Sequence, residues 1–375
     1  MIPRILSSII PQTNKSGFIN VIYGPRRVGK TVLLQQLTRH VDDDACLWIN
    51  GDTQEDRDLF SKTSSIFLED IVKDVSTIII DEAQRIPNIS LALKVLIDKL
   101  PEKKYYVTGS SSLLLSKGLR ETLTGRTQVY HLYPLSVSEI TGNSRDRKDR
   151  YLLENQILFG GYPYSLELKK KQEKRDYLLS IVDDYLFREV LYLKDVSSPD
   201  NLRKLATLLA FQIGSEVSLN ELANNIGIDV KTVKRYISLL IHNFIIFDVG
   251  GFSRSYAREV TNTKKYYFWD TGIRNAIIDQ FLPLDTRTDT AALWENFLTV
   301  ERLKKHEYQR DRRQYYFWRT YDNASIDWIE EQMGHLYAFD FSWDDRPPHT
   351  PKQFLEHYSL NSTVVSQHNY QSFII

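Results

Sequence analysis

The feature that most constrains the fold is the segment GPRRVGKT, residues 24–31, together with its flanking residues. The apolar run FINVIY (18–23) precedes it, and TVLLQQLTRHV, which begins at Thr31, carries apolar side chains at three- and four-residue spacing. A buried strand is thus followed by a glycine-containing turn and an amphipathic helix. This order predicts a parallel sheet covered by helices, because crossover units of this kind pack in that way.

Four further β-branched, apolar runs follow in the first 140 residues, with helical patterns such as LALKVLIDKL (91–100) between them. The five expected strands are FINVIY (18–23), CLWIN (46–50), TIIID (77–81), YYVTGS (105–110) and TQVYHLY (127–133). Short runs that are apolar throughout are typical of strands buried on both faces. We therefore expect an α/β domain with a five-stranded parallel sheet over residues 1–140.

The glycine-containing segment matches the pattern G-x-x-x-x-G-K-[ST]. Its members are Gly24, Pro25, Arg26, Arg27, Val28, Gly29, Lys30 and Thr31. Glycines let backbone N–H groups surround a phosphate, and the start of the following helix points its positive end at the anion. We expect Lys30 to reach the terminal phosphates of a nucleoside triphosphate and the Thr31 hydroxyl to bind Mg²⁺. The competing interpretation is a glycine turn with chance cations, which leaves the strand and helix on either side unexplained.

A metal carboxylate for this site is expected on a neighbouring strand. The run TIIID ends at Asp81, and Glu82 follows directly. We expect Asp81 to hold the Mg²⁺ and Glu82 to orient or deprotonate the attacking water, since phosphoryl transfer depends mostly on positioning and charge stabilisation. A strand that simply runs into an acidic turn is the alternative.

Two further candidates complete the predicted site. Ser110 or Ser111, after the fourth strand, is expected to position the nucleophilic water or contact the γ-phosphate. Arg126, before the fifth strand, is a candidate for a phosphate contact in cis, or in trans across an oligomer, for which Arg120 is a second candidate. A hydroxyl-rich turn and solvated arginines are the alternatives.

The rest of the chain divides into three predicted regions. Residues 141–210 read as a polar linker followed by a helical lid or linker region. Residues 211–284 show helix, short turn, helix and then a β-hairpin, the layout of a winged helix-turn-helix. Residues 285–375 combine one helix, LWENFLTVERLKKH, with four strands, and predict a third, α/β domain.

Composition excludes several other classes of protein. Lysine plus arginine and aspartate plus glutamate both number 48, so the overall charge gives no argument for a nucleic-acid partner. The single Cys46 excludes an internal disulfide framework and fits a reducing compartment. No apolar run approaches the roughly 18 residues of a membrane span, and Pro3 and Pro11 interrupt the first segment. We expect a cytoplasmic protein with no membrane partner.

Taken together, GPRRVGKT, IIIDEAQ (78–84), TGSSS (108–112) and LTGR (123–126) resemble the ATPase domain of the AAA+ superfamily. The narrower resemblance is to prokaryotic ATPases in which a winged helix and a carboxy-terminal uncharacterised domain follow. It extends over most of the chain through GGYP (160–163), SLNELANNIGI (218–228), KKYYFWDTGIRNA (264–276), LWENF (293–297), YFWRT (316–320) and IDWIEE (326–331). The resemblance implies ATP rather than GTP, and a sheet ordered 5-1-4-3-2.

The second predicted helix of the winged region, DVKTVKRYISLLIHN, begins at Asp229, a good N-cap residue. Its cationic or titratable positions are Lys231, Lys234, Arg235 and His242. This distribution suits a helix laid against the phosphates of double-stranded DNA. The alternative is a folding or autoinhibitory module that contacts no DNA.

The last domain of the resembled family has a PD-(D/E)XK nuclease-like fold, whose chemistry requires an aspartate and then an acid-x-lysine strand. Here Asp327 stands as the first acid and Glu295 as an accessory, but the expected strand reads Asp340-x-Ser342, without the lysine. Serine cannot carry the positive charge, so we expect a degenerate domain without nuclease activity. Its acids would then cap strands and pair with Arg319 or Arg302.

Three functions remain open from the sequence. The one favoured is an ATP-binding and ATP-hydrolysing switch, with Mg²⁺ as cofactor and with double-stranded DNA and a second copy of the chain as candidate partners. The alternatives are an ATP-gated, metal-dependent nuclease and an interaction protein that binds ATP without hydrolysing it. The adjacent acids Asp81 and Glu82 speak against the last of these.

Overall fold

The structure is a computed structural model that describes residues 2–62, 64–109, 123–142, 150–184, 198–254, 263–320, 324–344, 347 and 349–375. The chain divides into two compact units, Met1–Tyr133 and Pro134–Ile375. In the part of the chain that the structure describes, none of the helices combines the length and the apolar composition that crossing a bilayer requires.

The amino-terminal unit alternates strands and helices, as the sequence predicts. Its described strands are β1 (Ile19–Tyr23), β2 (Cys46–Asn50), β3 (Thr77–Asp81), β4 (Lys104–Gly109) and β5 (Thr127–His131). Its described helices are α1 (Leu6–Thr13), α2 (Lys30–Thr38), α3 (Gln54–Ser61), α4 (Ser65–Val72) and α5 (Ile89–Lys99).

The five strands form one parallel sheet in the order β2-β3-β4-β1-β5, which confirms the predicted order 5-1-4-3-2. Ile78, Ile79 and Ile80 are fully buried, as are Val21 and Ile22 on β1. This burial on both faces explains why these strands are apolar throughout rather than alternating. All carboxyl ends of the strands meet at one edge of the sheet, which is where ligands bind in sheets of this type.

The carboxy-terminal unit begins with helices and continues into a mixed sheet. Its described helices are α6 (Val137–Thr141), α7 (Arg150–Phe159), α8 (Pro163–Glu167), α9 (Lys171–Ile181), α10 (Pro199–Phe211), α11 (Leu219–Ile226), α12 (Val230–His242), α13 (Thr271–Ile277), α14 (Thr290–Gln309), α15 (Lys352–Tyr358) and α16 (Tyr370–Ile374). Its described strands are β6 (Glu216–Val217), β7 (Ile246–Gly251), β8 (Lys264–Phe268), β9 (Gln314–Arg319), β10 (Ser325–Gln332), β11 (His335–Phe341) and β12 (Thr363–Val365).

These strands form one sheet in the order β12-β11-β10-β9-β7-β8-β6. The predicted hairpin of β7 and β8 is present, and β7 also pairs in parallel with β9 through Gly250 and Tyr316. The sheet therefore continues across residue 285, where the sequence predicts a domain boundary. Residues 143–149, which make up most of the predicted polar linker, lie outside the described residues.

Helix α14 is the long helix of this unit, and an ion cluster fixes it to β10. Glu330 on β10 is fully buried and accepts hydrogen bonds from Arg302 Nε and Nη2 at 2.7 and 2.9 Å. Arg313 Nη1 donates to the same carboxylate at 2.6 Å. Glu330 and Arg302 therefore compensate each other's burial.

Candidate nucleotide site

The candidate site lies at the carboxyl edge of the amino-terminal sheet. Residues 24–29 connect the end of β1 to the start of α2, and Asp81 ends the strand β3. Strand β4, which lies between β1 and β3, ends at Gly109. The topology thus brings together the two motifs that the sequence separates by some fifty residues.

The loop takes a conformation that depends on its glycines. Gly29 has φ +92°, a left-handed value that side chains rarely adopt, and Arg27 has φ +61°. Gly24 packs so closely on the backbone that a Cβ there would lie 2.1 Å from the Leu132 oxygen. The first glycine therefore allows a close backbone approach, and the second allows the turn into α2.

Lys30 is buried at the first position of α2, with 5% of its surface exposed. Its Nζ donates to the carbonyl oxygens of Gly24 and Pro25, both at 3.1 Å, and lies 3.7 Å from Glu82 Oε1. Burial lowers the pKa of Lys30, although the negative charges of Glu82 and Asp81 oppose that shift. The ammonium group is thus held inside the loop, where an anionic ligand would compensate its charge.

Asp81 and Thr31 supply oxygen atoms that suit Mg²⁺. Thr31 Oγ1 donates to Asp81 Oδ2 at 2.6 Å, and Asp81 is buried with 4% of its surface exposed. A hydroxyl and a carboxylate, completed by water and phosphate oxygens, are the ligand set that Mg²⁺ prefers in nucleotide sites. The donors present therefore fit the implied metal.

Thr108 is a residue of this site that the sequence interpretation missed. It lies on β4, fully buried, and its hydroxyl donates a short hydrogen bond to Asp81 Oδ1. Thr108 Oγ1 also accepts from the backbone N–H of Glu82 at 3.1 Å. The hydroxyl-rich segment TGSSS, which includes Thr108, already indicated a hydroxyl at this position of the site, but the serines of that segment were predicted instead of the threonine.

Glu82 follows the strand in a left-handed conformation, with φ +51°. It precedes the 3₁₀ turn Ala83–Arg85, and Gln84 Nε2 donates to Glu82 Oε2 at 2.5 Å. Gly51 packs against the same backbone, since a Cβ at Gly51 would lie 2.4 Å from the Glu82 oxygen. The carboxylate of Glu82 is thereby held between Gln84 and Lys30.

The remaining predicted residues have different outcomes. Ser110, Ser111 and Arg120 lie outside the described residues. Arg126 precedes β5, and Thr127 pairs with Ile19, so Arg126 lies at the amino edge of the sheet, opposite the loop. Its guanidinium forms an ion pair with Asp98. The Arg126 side chain is therefore too far away to contact a phosphate bound in the loop of the same chain, because the full length of β1 separates them.

The acids of the carboxy-terminal unit are arranged differently. Glu295 Oε1 accepts from Lys265 Nζ at 3.0 Å and from the Tyr267 hydroxyl at 2.6 Å. Asp327 Oδ2 accepts from the Phe341 N–H at 2.9 Å. Arg302 pairs with Glu330, and Arg319 pairs with Glu216. The expectation that Glu295 or Asp327 pairs with one of these arginines is therefore wrong.

Burial raises the pKa of Glu295, and Asp327 adds to that effect, while the attraction of Lys265 opposes it. Burial also raises the pKa of Asp340 to about 6. Within the described ranges, no group of three or more His, Cys, Asp or Glu side chains is arranged to hold a metal ion.

Comparison with known protein families divides the chain in a similar way. Residues 16–141 match the AAA domain, and residues 150–285 and 290–372 match two domains of unknown function. An uncharacterized protein of Mycobacterium tuberculosis is 25% identical over 334 residues, which are 87% of this chain and 70% of the relative. An uncharacterized protein of Methanocaldococcus jannaschii is 27% identical over 273 residues, which are 67% of this chain and 60% of the relative.

Among solved structures, a Walker-type ATPase of Pyrococcus abyssi aligns with a TM-score of 0.49 and 16% identity. The alignment covers 74% of this chain and 96% of that chain. Two other observations identify the type of the amino-terminal domain. Residues 16–141 match the AAA domain, and the structure places Lys30 inside the glycine loop and Asp81 against Thr31. The amino-terminal unit is thus a P-loop domain of the AAA type.

Proposed function

We propose that this chain binds ATP with Mg²⁺ and hydrolyses it, and that it uses the nucleotide cycle as a conformational switch. The observation that carries the proposal is the 2.6 Å contact between Thr31 Oγ1 and Asp81 Oδ2, beside the buried Lys30. A chance glycine turn would have no reason to bury a lysine and place its neighbouring hydroxyl on a carboxylate two strands away.

Each group has a role that follows from its position. The backbone N–H groups of residues 26–29 and of the start of α2 bind the phosphates, and Lys30 compensates their charge. Thr31 and Asp81 would hold Mg²⁺, which neutralises phosphate charge during hydrolysis. Glu82 orients the attacking water and accepts its proton. Ser110 remains proposed for positioning that water.

Arg126 has one remaining proposed role. Because it lies at the amino edge of its own sheet, it would contact a phosphate only in trans, in a homo-oligomer. Its ion pair with Asp98 would have to open first, which costs little because both side chains are partly exposed.

Lys30→Ala and Glu82→Gln test the proposed function. We expect Lys30→Ala to weaken Mg-ATP binding by about 100-fold, because it removes the buried charge opposite the phosphates. Glu82→Gln should bind Mg-ATP normally and hydrolyse it slowly. Isothermal titration and steady-state phosphate release measure the two effects.

Lys104→Ala is the matched control, since Lys104 is an exposed lysine at the amino end of β4, at the other edge of the sheet. Equal ATP affinity in the Lys30 and Lys104 variants would contradict the nucleotide site. Normal binding with no detectable turnover in the wild type would instead favour the non-hydrolysing alternative.

A second candidate function is contact with double-stranded DNA through a winged helix. The order α10, β6, α11, α12, β7 and β8 supports a winged helix, as does the predicted N-cap, where Thr232 N–H donates to Asp229 Oδ1 at 2.9 Å. The observation that favours DNA is that Lys231, Lys234, Arg235 and His242 are all exposed on α12. Lys231, Lys234 and Arg235 form no ion pair with any described residue.

The salt dependence of DNA binding tests this second function. If Lys234 and Arg235 contact phosphates, replacing both with Ser should weaken binding to a random duplex and reduce the slope of log K against log salt by about 2. Lys170→Ser with Lys171→Ser, at the exposed start of α9, is the control pair. An unchanged slope would remove α12 from the interface.

A further inference from the structure

Arg4 lies behind the phosphate loop, in the segment that precedes α1. Only 4% of its surface is exposed, although a charged side chain is seldom buried unless it is paired. Its guanidinium donates from Nη1 to the Val28 oxygen at 2.7 Å and from Nη2 to the Tyr133 oxygen at 2.6 Å. One buried arginine thus joins a carbonyl of the loop to the last residue of the amino-terminal unit.

The bond to Val28 fixes the direction of a peptide group in the loop. No cis peptide bond occurs among the described residues, so the peptide between Val28 and Gly29 is trans. In a trans peptide the C=O and N–H groups point to opposite sides. Because Arg4 holds the Val28 oxygen on its own side, the Gly29 N–H is directed to the other side, at the start of α2.

A guanidinium suits this task better than other side chains. Its planar fork donates in two directions at once, and hydrogen bonds from a charged donor are short and strong. A lysine at this position would carry the same charge but would not present the same rigid pair of donors.

Gln36 on α2 anchors the backbone of the same segment separately. Arg4 N–H donates to Gln36 Oε1 at 3.2 Å, and Gln36 Nε2 donates to the Ile2 oxygen at 3.2 Å. The segment therefore has two kinds of attachment, one through the Arg4 side chain to the loop and one through its backbone to α2. This separation allows the two contributions to be measured independently.

We propose that Arg4 is a positioning residue for phosphate binding, which orients the loop by holding the carbonyls of Val28 and Tyr133. The proposal rests on the proposed function, since it names the residue that prepares the same nucleotide site. Arg4 does not touch the nucleotide. It acts by keeping the loop amide of Gly29 in the binding orientation before the nucleotide arrives.

The test compares Arg4→Lys with Gln36→Ala in the full chain, using Mg-ATP. We expect Arg4→Lys to raise both Kd and KM about tenfold, which is the size expected for losing a charge-assisted hydrogen bond that orders the loop. The kcat should change less than about threefold, because the loop binds phosphate in the ground state and the transition state alike. Gln36→Ala should leave Kd within about twofold of the wild type.

Several outcomes would overturn the proposal. If Arg4→Lys fails to fold, Arg4→Gln, which adds no buried charge and reaches one carbonyl, gives the same measurement with the same expected rise in KM. A lower urea midpoint with unchanged KM in either variant would mean that Arg4 serves only stability. An equal rise in Gln36→Ala would assign the effect to the segment backbone. Wild-type protein that binds no ATP would refute the proposed function as well, whereas binding that is equal in wild type and Arg4→Lys refutes only the role of Arg4.

Discussion

Two lysine–glutamate pairs, Lys30 with Glu82 in the amino-terminal unit and Lys265 with Glu295 in the carboxy-terminal unit, differ in their surroundings in a way that separates a candidate binding site from a structural contact. Lys30 lies 3.7 Å from Glu82 and donates to two loop carbonyls, and burial lowers its pKa. Lys265 lies 3.0 Å from Glu295. Burial also acts to lower the pKa of Lys265, but Glu295 and Asp327 outweigh it and the pKa is raised.

The difference lies in what completes each pair. The Tyr267 hydroxyl and the Lys265 ammonium together satisfy Glu295, so that pair is closed. Lys30 instead sits within a glycine loop at the start of a helix, where further backbone N–H groups are available to an anion. A buried lysine beside an acid therefore indicates a ligand site only when the backbone around it also offers unsatisfied donors.

The largest expected effect comes from Asp81→Asn. The amide would remove the negative charge that the implied Mg²⁺ needs, so we expect ATP hydrolysis to fall by about 1,000-fold. Phosphate release at saturating ATP measures it. Glu102→Gln, on an exposed acid just before the amino end of β4, is the control and should retain full activity. Normal turnover in Asp81→Asn would contradict the interpretation of the surroundings of Lys30 as a nucleotide site.

Lys265→Met breaks the second pair. It leaves Glu295 buried without its cation, so we expect the free energy of unfolding to fall by about 3 kcal/mol. Urea denaturation followed by circular dichroism measures the loss, and ATP affinity should not change. The neighbouring Lys264→Met is the control, because Lys264 pairs with Asp248 at the surface and should contribute less than about 1 kcal/mol. Lost ATP binding in Lys265→Met with normal stability would show that this pair is not merely structural.

Thr108→Val tests whether the Thr108 hydroxyl orients the acids of the candidate nucleotide site. Valine has nearly the shape of threonine but cannot donate to Asp81 or accept from the Glu82 N–H. We expect kcat to fall about tenfold, since the acids lose the group that orients both of them. Thr77→Val is the control, because Thr77 is also a buried threonine but lies at the end of β3 away from Asp81, and kcat should not change in this variant. Equal kcat in both variants would leave Thr108 with a packing role only.

The smallest expected effect concerns Asp340, whose buried Oδ2 has no hydrogen-bond partner among the described residues. Burial raises its pKa to about 6, and Asp327 adds to the rise while Ser362 opposes it. An acid whose folded pKa is raised binds protons more tightly in the folded state. Stability is therefore gained as pH falls through about 6, and lost as pH rises through the same range.

Partial exposure of Asp340 reduces the effect, so we expect about 1 kcal/mol between pH 7.5 and 5. Urea unfolding at both pH values, in wild type and in Asp340→Asn, measures this contribution. The asparagine variant should lose about 1 kcal/mol of the wild-type pH dependence. An identical pH dependence in the two proteins would contradict the assignment to Asp340.

The sequence predicts the amino-terminal unit better than it predicts the local contacts of its site. The five apolar runs and the loop pattern indicate the strands and the site because strand–loop–helix units impose them on any chain of this kind. Thr108 was missed because hydroxyls at residues 108 and 110–112 are equivalent in a sequence, and only the pairing of β3 with β4 places the first of them on Asp81.

In the carboxy-terminal unit, the sequence predicts a hairpin before residue 285 and four strands after it, but not the short strand β6 or the continuous sheet that joins β7 to β9. Pairing between strands more than sixty residues apart leaves no local signal in either of them. Lys265 is a similar case, since its sequence position in a predicted hairpin gives no indication that it binds Glu295 on a distant helix.

The sequence by itself determined the strand and helix pattern of the amino-terminal unit, the glycine loop and the acid proposed to bind its metal, because each depends on local conformational preferences and on short fixed spacings. Only the tertiary structure decided which side of the sheet Arg126 occupies, which hydroxyl binds Asp81, and which carbonyls Arg4 holds. These contacts depend on strand order and register, which arise from burial of the whole sheet rather than from any one segment.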